Sequence, residues 1–130
     1  MSNYEMYIIN VLIRGRVPFE REKTFEDLRK GKYRYDFYLP QYKGRRVLIE
    51  VDGEQHFKQI KHFQKNRTDF KKTQEHDRRK NSYALSHDIL LVRIPFWEIS
   101  TIYDVEDLFQ DRFIVKNKYH NDNIKAPSIK

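Results

Sequence analysis

Apolar residues recur at helical spacing from Asn3 to Ile13. Tyr4, Tyr7, Ile8, Val11 and Leu12 share one stripe there, and Gly15 is a natural stop. Three segments of strand character follow. Phe19 to Phe25 alternates imperfectly, Tyr33 to Leu39 runs up to Pro40, and Arg46 to Asp52 ends at Gly53. Between the last two, Gln41 to Arg45 reads as a hairpin loop carrying Gly44. From about Asn66 to Ser86 the chain is polar and free of Pro and Gly, which predicts a long helix. Ile89 to Ile94 is apolar apart from Arg93 and stops at Pro95, which predicts a central strand covered on both faces. Thr101 to Phe113 predicts a last helix with Ile102, Val105, Leu108 and Phe109 inward. Thr101 would be its N-cap, with Asp104 three positions on as the capping carboxylate. The expected order is αβββαβα, a single α/β domain over residues 1–116, followed by a polar, loosely ordered tail over 117–130 that contains Pro127.

Composition changes this picture in two places. Cysteine is absent, so disulfides and thiolate zinc sites are excluded. Any metal would be held by carboxylates, imidazole and water, which favours hard cations such as magnesium or manganese. A formal net charge of +7 favours polyanionic partners, nucleic acid before acidic membrane, although a merely solvated surface carries such charge too. The apolar stretch Tyr7 to Ile13 is too short for a membrane span or signal sequence, so no membrane association and a cytoplasmic location are expected.

The acids are the anomaly. Period-two alternation in the third strand sets Leu48, Glu50 and Asp52 on one face, and in the second strand Arg34, Asp36 and Tyr38. If the hairpin pairs these strands, Asp36 approaches Glu50 and Asp52. Like charges that close resist ionisation unless a cation joins them. The bland alternative is that each acid faces solvent on an edge. His56 follows directly in Gly53-Glu54-Gln55-His56, where it is a candidate general acid, general base or metal ligand. On the long helix, Phe63, Phe70, Asp77 and Ala84 recur every seven residues, so Asp77 lies on the stripe meant for the core and Lys80 one turn further along. The flanking run carries Lys58, Lys61, Lys65, Arg67, Lys71 and Lys72, suited to phosphate contact, as is Arg93 unless it pairs with a core acid.

Asp36-Phe37, followed after a hairpin by Ile49-Glu50-Val51-Asp52-Gly53-Glu54-Gln55-His56, resembles the Vsr-like branch of the PD-(D/E)XK endonucleases, often phage-encoded or found in homing endonucleases. Glu22-Lys23-Thr24-Phe25, Asp77 with Lys80-Asn81, and Leu91 to Pro95 extend the likeness over roughly residues 19 to 99. The resemblance implies a restriction-endonuclease-like core, a four-stranded mixed sheet flanked by helices, and magnesium-dependent cleavage of double-stranded DNA. For a phage-encoded member this would take place in the host's cytoplasm. By position, Asp36 and Glu50 would hold the metal, with Asp52 a further candidate ligand. His56 and Asp77 would complete the centre, and Glu22 would be the first-strand acid, with Glu20 on the same face. The superfamily lysine two residues after the strand acid is here Asp52, so Lys80 or His56 would have to supply it, or the mechanism differs. Cutting both strands would need two visits or a homodimer. A nuclease fold that binds nucleic acid without cutting it is the other reading.

Overall fold

Helix α1 (Asn3–Arg14) begins where the Ser2 side chain accepts a hydrogen bond from the Glu5 backbone N–H at 3.1 Å. Its buried stripe is Ile8, Val11 and Leu12, as the spacing predicts. Strands β1 (Glu20–Thr24), β2 (Arg34–Tyr42), β3 (Arg45–Asp52) and β4 (Leu90–Pro95) form one sheet in the order β1-β2-β3-β4. The first two pairings are antiparallel and β3 pairs parallel with β4, so the sheet is mixed. Helix α2 (Arg67–Ser86) lies between β3 and β4 in the chain. This computed structural model, a single small α/β domain, describes residues 2–57 and 67–127. Among them no helix is long and apolar enough to cross a membrane.

The sheet has a core on each face. Phe37, Leu39, Val47, Ile49, Val92 and Ile94 pack against α1 and against Ile99, Ile102, Val105, Leu108 and Phe113. Tyr35, Tyr38, Leu48 and Leu91 pack on the other side with Tyr83 and Ala84 of α2. Tyr35 and Tyr38 thus join one core although they are three positions apart, an odd offset that alternation would put on opposite faces. The strict alternation expected for β2 therefore fails, and it fails around Asp36.

Four expectations need correction. Pro40 does not end β2, which continues to Tyr42. The register with β3 shifts by one residue between Leu39 and Tyr42, and β1 pairs no further than Tyr38, so proline's missing N–H breaks no ladder bond there. The hairpin turns at Lys43 and Gly44, both at positive φ, which glycine tolerates and which matches the twist of the strands. Strand β4 is not central but terminal in the sheet order. Its apolar run is explained by cover on both faces and by the chain beyond it, where Val92 bridges Ile114 and the Val115 N–H donates to the Leu91 carbonyl at 3.0 Å.

The last predicted helix is not an α-helix. Thr101 ends one 3-10 segment (Phe96–Thr101), and two more, Val105–Phe109 and Asp111–Phe113, carry the inward residues. Asp104 precedes Val105, and the Asp107 carboxylate accepts from the Asp104 and Tyr103 backbone N–H groups. Short 3-10 turns let this stretch bend along the sheet and fold over the edge of β4, which a straight helix of that length would not follow. The tail is also more ordered than expected, since Asn121 is buried.

Gly15 shows how closely the C-terminal cover sits on α1. A Cβ there would stand 2.4 Å from Val105 Cγ2, on a stiff, β-branched side chain. Gly15→Ala is expected to cost about 1–3 kcal/mol of stability in urea unfolding, the range for overpacking. In the Gly15→Ala/Val105→Ala double variant the two costs should fall well short of additive, because the second change removes the clash.

Candidate active site

Asp36 faces Glu50 across the β2–β3 hairpin, continuing the register that pairs Phe37 with Ile49. At that point the carboxylates take over the ladder. The Asp36 N–H donates to Glu50 Oε1 at 2.7 Å, and the Val51 N–H donates to Asp36 Oδ2 at 2.7 Å. Side chains that replace backbone partners hold the strands apart while satisfying their N–H groups. Both acids are thereby fixed on the floor of a cleft.

Behind them lies a buried charge network. Lys80, from α2, reaches Glu50 Oε2 at 2.5 Å and also donates to the Arg34 carbonyl. Arg93 is 1% exposed, donates to Asp52 at 2.8 Å and to Asn81 at 2.7 Å, and lies 3.6 Å from Asp77 and 3.9 Å from Glu50. Asn121 donates to the other Asp52 oxygen at 2.8 Å. The 3-10 turn Glu54–His56 after β3 turns His56 back so that its Nδ1 meets Asp77 at 2.9 Å and Asp52 at 3.7 Å.

This network decides which expected residues can meet a ligand. Asp36, Glu50, His56, Asp77 and Lys80 are brought together. Asp36, His56 and Lys80 line both of two adjoining clefts of about 660 and 540 Å³, Asp77 the first and Glu50 the second. Asp52 is not placed to ligate a metal, since it lines neither cleft and its oxygens are bonded to the side chains of Arg93 and Asn121. It is the counter-ion of Arg93. Arg93 in turn is too deeply buried to touch a phosphate. Glu22 lines the larger cleft with Asp36 but is exposed on its rim at positive φ, 3.7 Å from Arg34. Lys71 and Lys72 are exposed on α2 and do not line either cleft. Lys58, Lys61 and Lys65 lie outside the described residues, as does the Arg67 side chain.

Two sets of residues emerge that the sequence reading missed. Glu5, in the first turn of α1, lines both clefts and adds its charge to that felt by Asp36. A first-turn acid is ordinarily read as a helix cap, which hides it. Arg29, Lys32 and Arg34 form the basic rim of the larger cleft. The run Arg29-Lys30-Gly31-Lys32 was visible, but short basic loops are common.

The charges do not balance. Asp36, Glu50, Asp52 and Asp77 face Arg93, Lys80 and His56. Burial, and then the Glu50 carboxylate beside it, push the Asp36 pKa up to about 8. Burial pulls His56 down, but Asp52 and Asp77 outweigh it and leave its pKa above the usual imidazole range. Burial pushes Asp52 up, but Arg93, His56 and the Asn121 hydrogen bond together outweigh it and hold that carboxyl below the usual range.

Two facing carboxylates with open cleft on either side fit magnesium, which is commonly held by one or two protein carboxylates and keeps several waters. Among the described residues no group of three acids or histidines converges tightly enough to cage a metal by side chains alone. No protein-family model, no curated protein and no solved structure matches this chain.

A raised folded-state pKa favours the protonated fold, so its contribution to stability is complete below the unfolded value and is lost as pH rises through the folded one. In metal-free buffer, Asp36 is therefore expected to lower stability progressively between about pH 4 and 8. Asp36→Asn should remove that decline, seen as a smaller fall in unfolding midpoint across the window than the unsubstituted protein shows. Arg93→Ala, which strands Asp52 and Asp77, should cost about 3–5 kcal/mol in urea unfolding.

Proposed function

We propose that this protein is an endonuclease that hydrolyses DNA phosphodiester bonds with a divalent cation, magnesium or manganese, on a restriction-endonuclease-like core. The single observation that carries the reading is the Asp36–Glu50 pair, fixed across the hairpin where a cleft lined by both acids adjoins a larger one that Asp36 shares with a basic rim. A binding surface for phosphate gains nothing from facing carboxylates, which repel it; a site that recruits a cation does. The order α1-β1-β2-β3-α2-β4 and the mixed sheet support the fold assignment.

Asp36 and Glu50 would hold the cation, with Glu5 contributing charge from α1. When bound, the cation would supply Lewis-acid polarisation of the scissile phosphate and a lowered pKa for attacking water. Lys80 reaches Glu50 from the helix, so it supports the part of the superfamily lysine that position 52 lacks. There it can orient Glu50 and offset charge on the phosphate. His56 is oriented by Asp77 and holds its proton above the usual range, which suits a donor of that proton to the leaving oxygen. Arg29, Lys32 and Arg34 would seat the phosphodiester backbone along the rim.

A nucleic-acid-binding module that does not cut is favoured by one feature, the 2.5 Å contact through which Lys80 already compensates Glu50. Cleavage of supercoiled plasmid separates the two. The nuclease reading expects nicking in magnesium or manganese that is abolished by chelation. Asp36→Asn and Glu50→Gln should each reduce it on the order of a hundred-fold or more, and His56→Ala by about 10²–10⁴-fold. Unchanged cleavage in both carboxylate variants would overturn the assignment.

A further inference from the structure

On the far side of α2 from the acid pair is a third groove, of about 630 Å³, between the helix and the C-terminal segment. Its lining includes Arg29, Arg78, Arg79, Lys118, Ser82 and Tyr119. Arg78 is paired with Asp122 at 2.8 Å and Arg79 with Glu75 at 2.7 Å, so these two cations set the wall and are partly neutralised. Arg29 and Lys118 have no carboxylate partner among the described residues, and the groove is net positive.

Tyr119 is 47% exposed, on a backbone that is tied down on both sides. Its backbone N–H donates to the Asn117 side chain at 2.9 Å, and the neighbouring Lys118 carbonyl accepts from buried Asn81 at 3.1 Å. The Arg78 guanidinium lies 5.5 Å and the Lys118 ammonium 5.1 Å from the ring centre. A half-exposed aromatic ring with cations against it is an arrangement that takes up a nucleobase beside the ring while holding the adjoining phosphates. Arg29 lines both this groove and the cleft that holds Asp36, so one path of positive charge joins them.

We propose that this groove binds an unpaired strand of the nucleic acid engaged by the cleft, with one base stacked on Tyr119 and its phosphates on Lys118 and Arg29. The inference rests on the nuclease reading for the identity of the polymer. It adds an unpaired strand beside the cleaved duplex to what the protein can hold, since bases inside a duplex are stacked on one another and cannot reach a tyrosine ring. The sequence alone could not assemble this groove, because it needs the tail beside the helix.

The test is fluorescence anisotropy with a labelled twelve-nucleotide oligothymidine and, separately, a blunt duplex, both in chelator so that nothing is cut. Tyr119→Ala should bind the single strand about ten-fold more weakly, the scale of one lost base–aromatic stack, and the duplex nearly as before. Tyr119→Phe, which keeps the ring, should bind both as the unsubstituted protein does. Single-strand binding that is absent, or equal in Tyr119→Ala and the parent, would overturn the proposal. Glu50→Gln separates the two readings, because it should lose plasmid cleavage and keep single-strand binding. If the nuclease reading alone fails, the parent cuts nothing while Tyr119 still governs the anisotropy.

Discussion

Four carboxylates meet at one end of a small sheet, and the fold has too few buried cations to neutralise them. Arg93 is the main compensator, buried among Asp52, Asp77 and Glu50 on a strand whose other residues are apolar. Without it those acids would be stranded in a low-dielectric interior, at a cost that takes a large share of a small domain's stability. With it, Asp52 and Asp77 become fixed posts that aim His56, and Glu50 is left to Lys80. Asp36 is the acid left over. Burial, and then the Glu50 carboxylate beside it, push its pKa up, so it resists ionising where it stands.

The sheet makes this arrangement through ordinary means. Hydrophobic cover on both faces pins the register of β2 against β3, since a slip of one residue would turn every core side chain to the wrong face. The register then sets Asp36 opposite Glu50. Their side chains replace the ladder there, which opens the hairpin without orphaning the backbone. Helix α2 closes the back of the site, and Tyr35 secures it by donating to the Lys80 carbonyl at 2.8 Å. The C-terminal segment completes the shell through Asn121 on Asp52 and Asp122 on Arg78.

Much of this was legible because misplaced polar residues break a strong pattern. Asp36 and Glu50 stood out in strands whose neighbours demand burial, and Asp77 on a helical stripe that leads to buried Ala84. What was not legible depended on three-dimensional context. The alternation break at Asp36 comes from the carboxylate-for-ladder exchange, which no local pattern encodes. The stretch from Thr101 to Phe113 has helical spacing, but it must wrap an edge, and tertiary packing overrides the spacing. Position 93 looked like either a phosphate contact or a core ion pair, and only burial separates these. The tail reads as polar and therefore loose, yet Asn121 bonds the buried Asp52 carboxylate and Asp122 pairs with Arg78. Glu5 is hidden by being a good first-turn acid.

The account turns on a divalent cation at the opened hairpin, and locating one there is the most direct measurement. Crystals grown with manganese should give an anomalous-scattering peak within bonding distance of an oxygen from both Asp36 and Glu50. That peak should vanish in Asp36→Asn. Saturating manganese with no density between those two side chains, or density confined to acids elsewhere on the surface, would contradict the account.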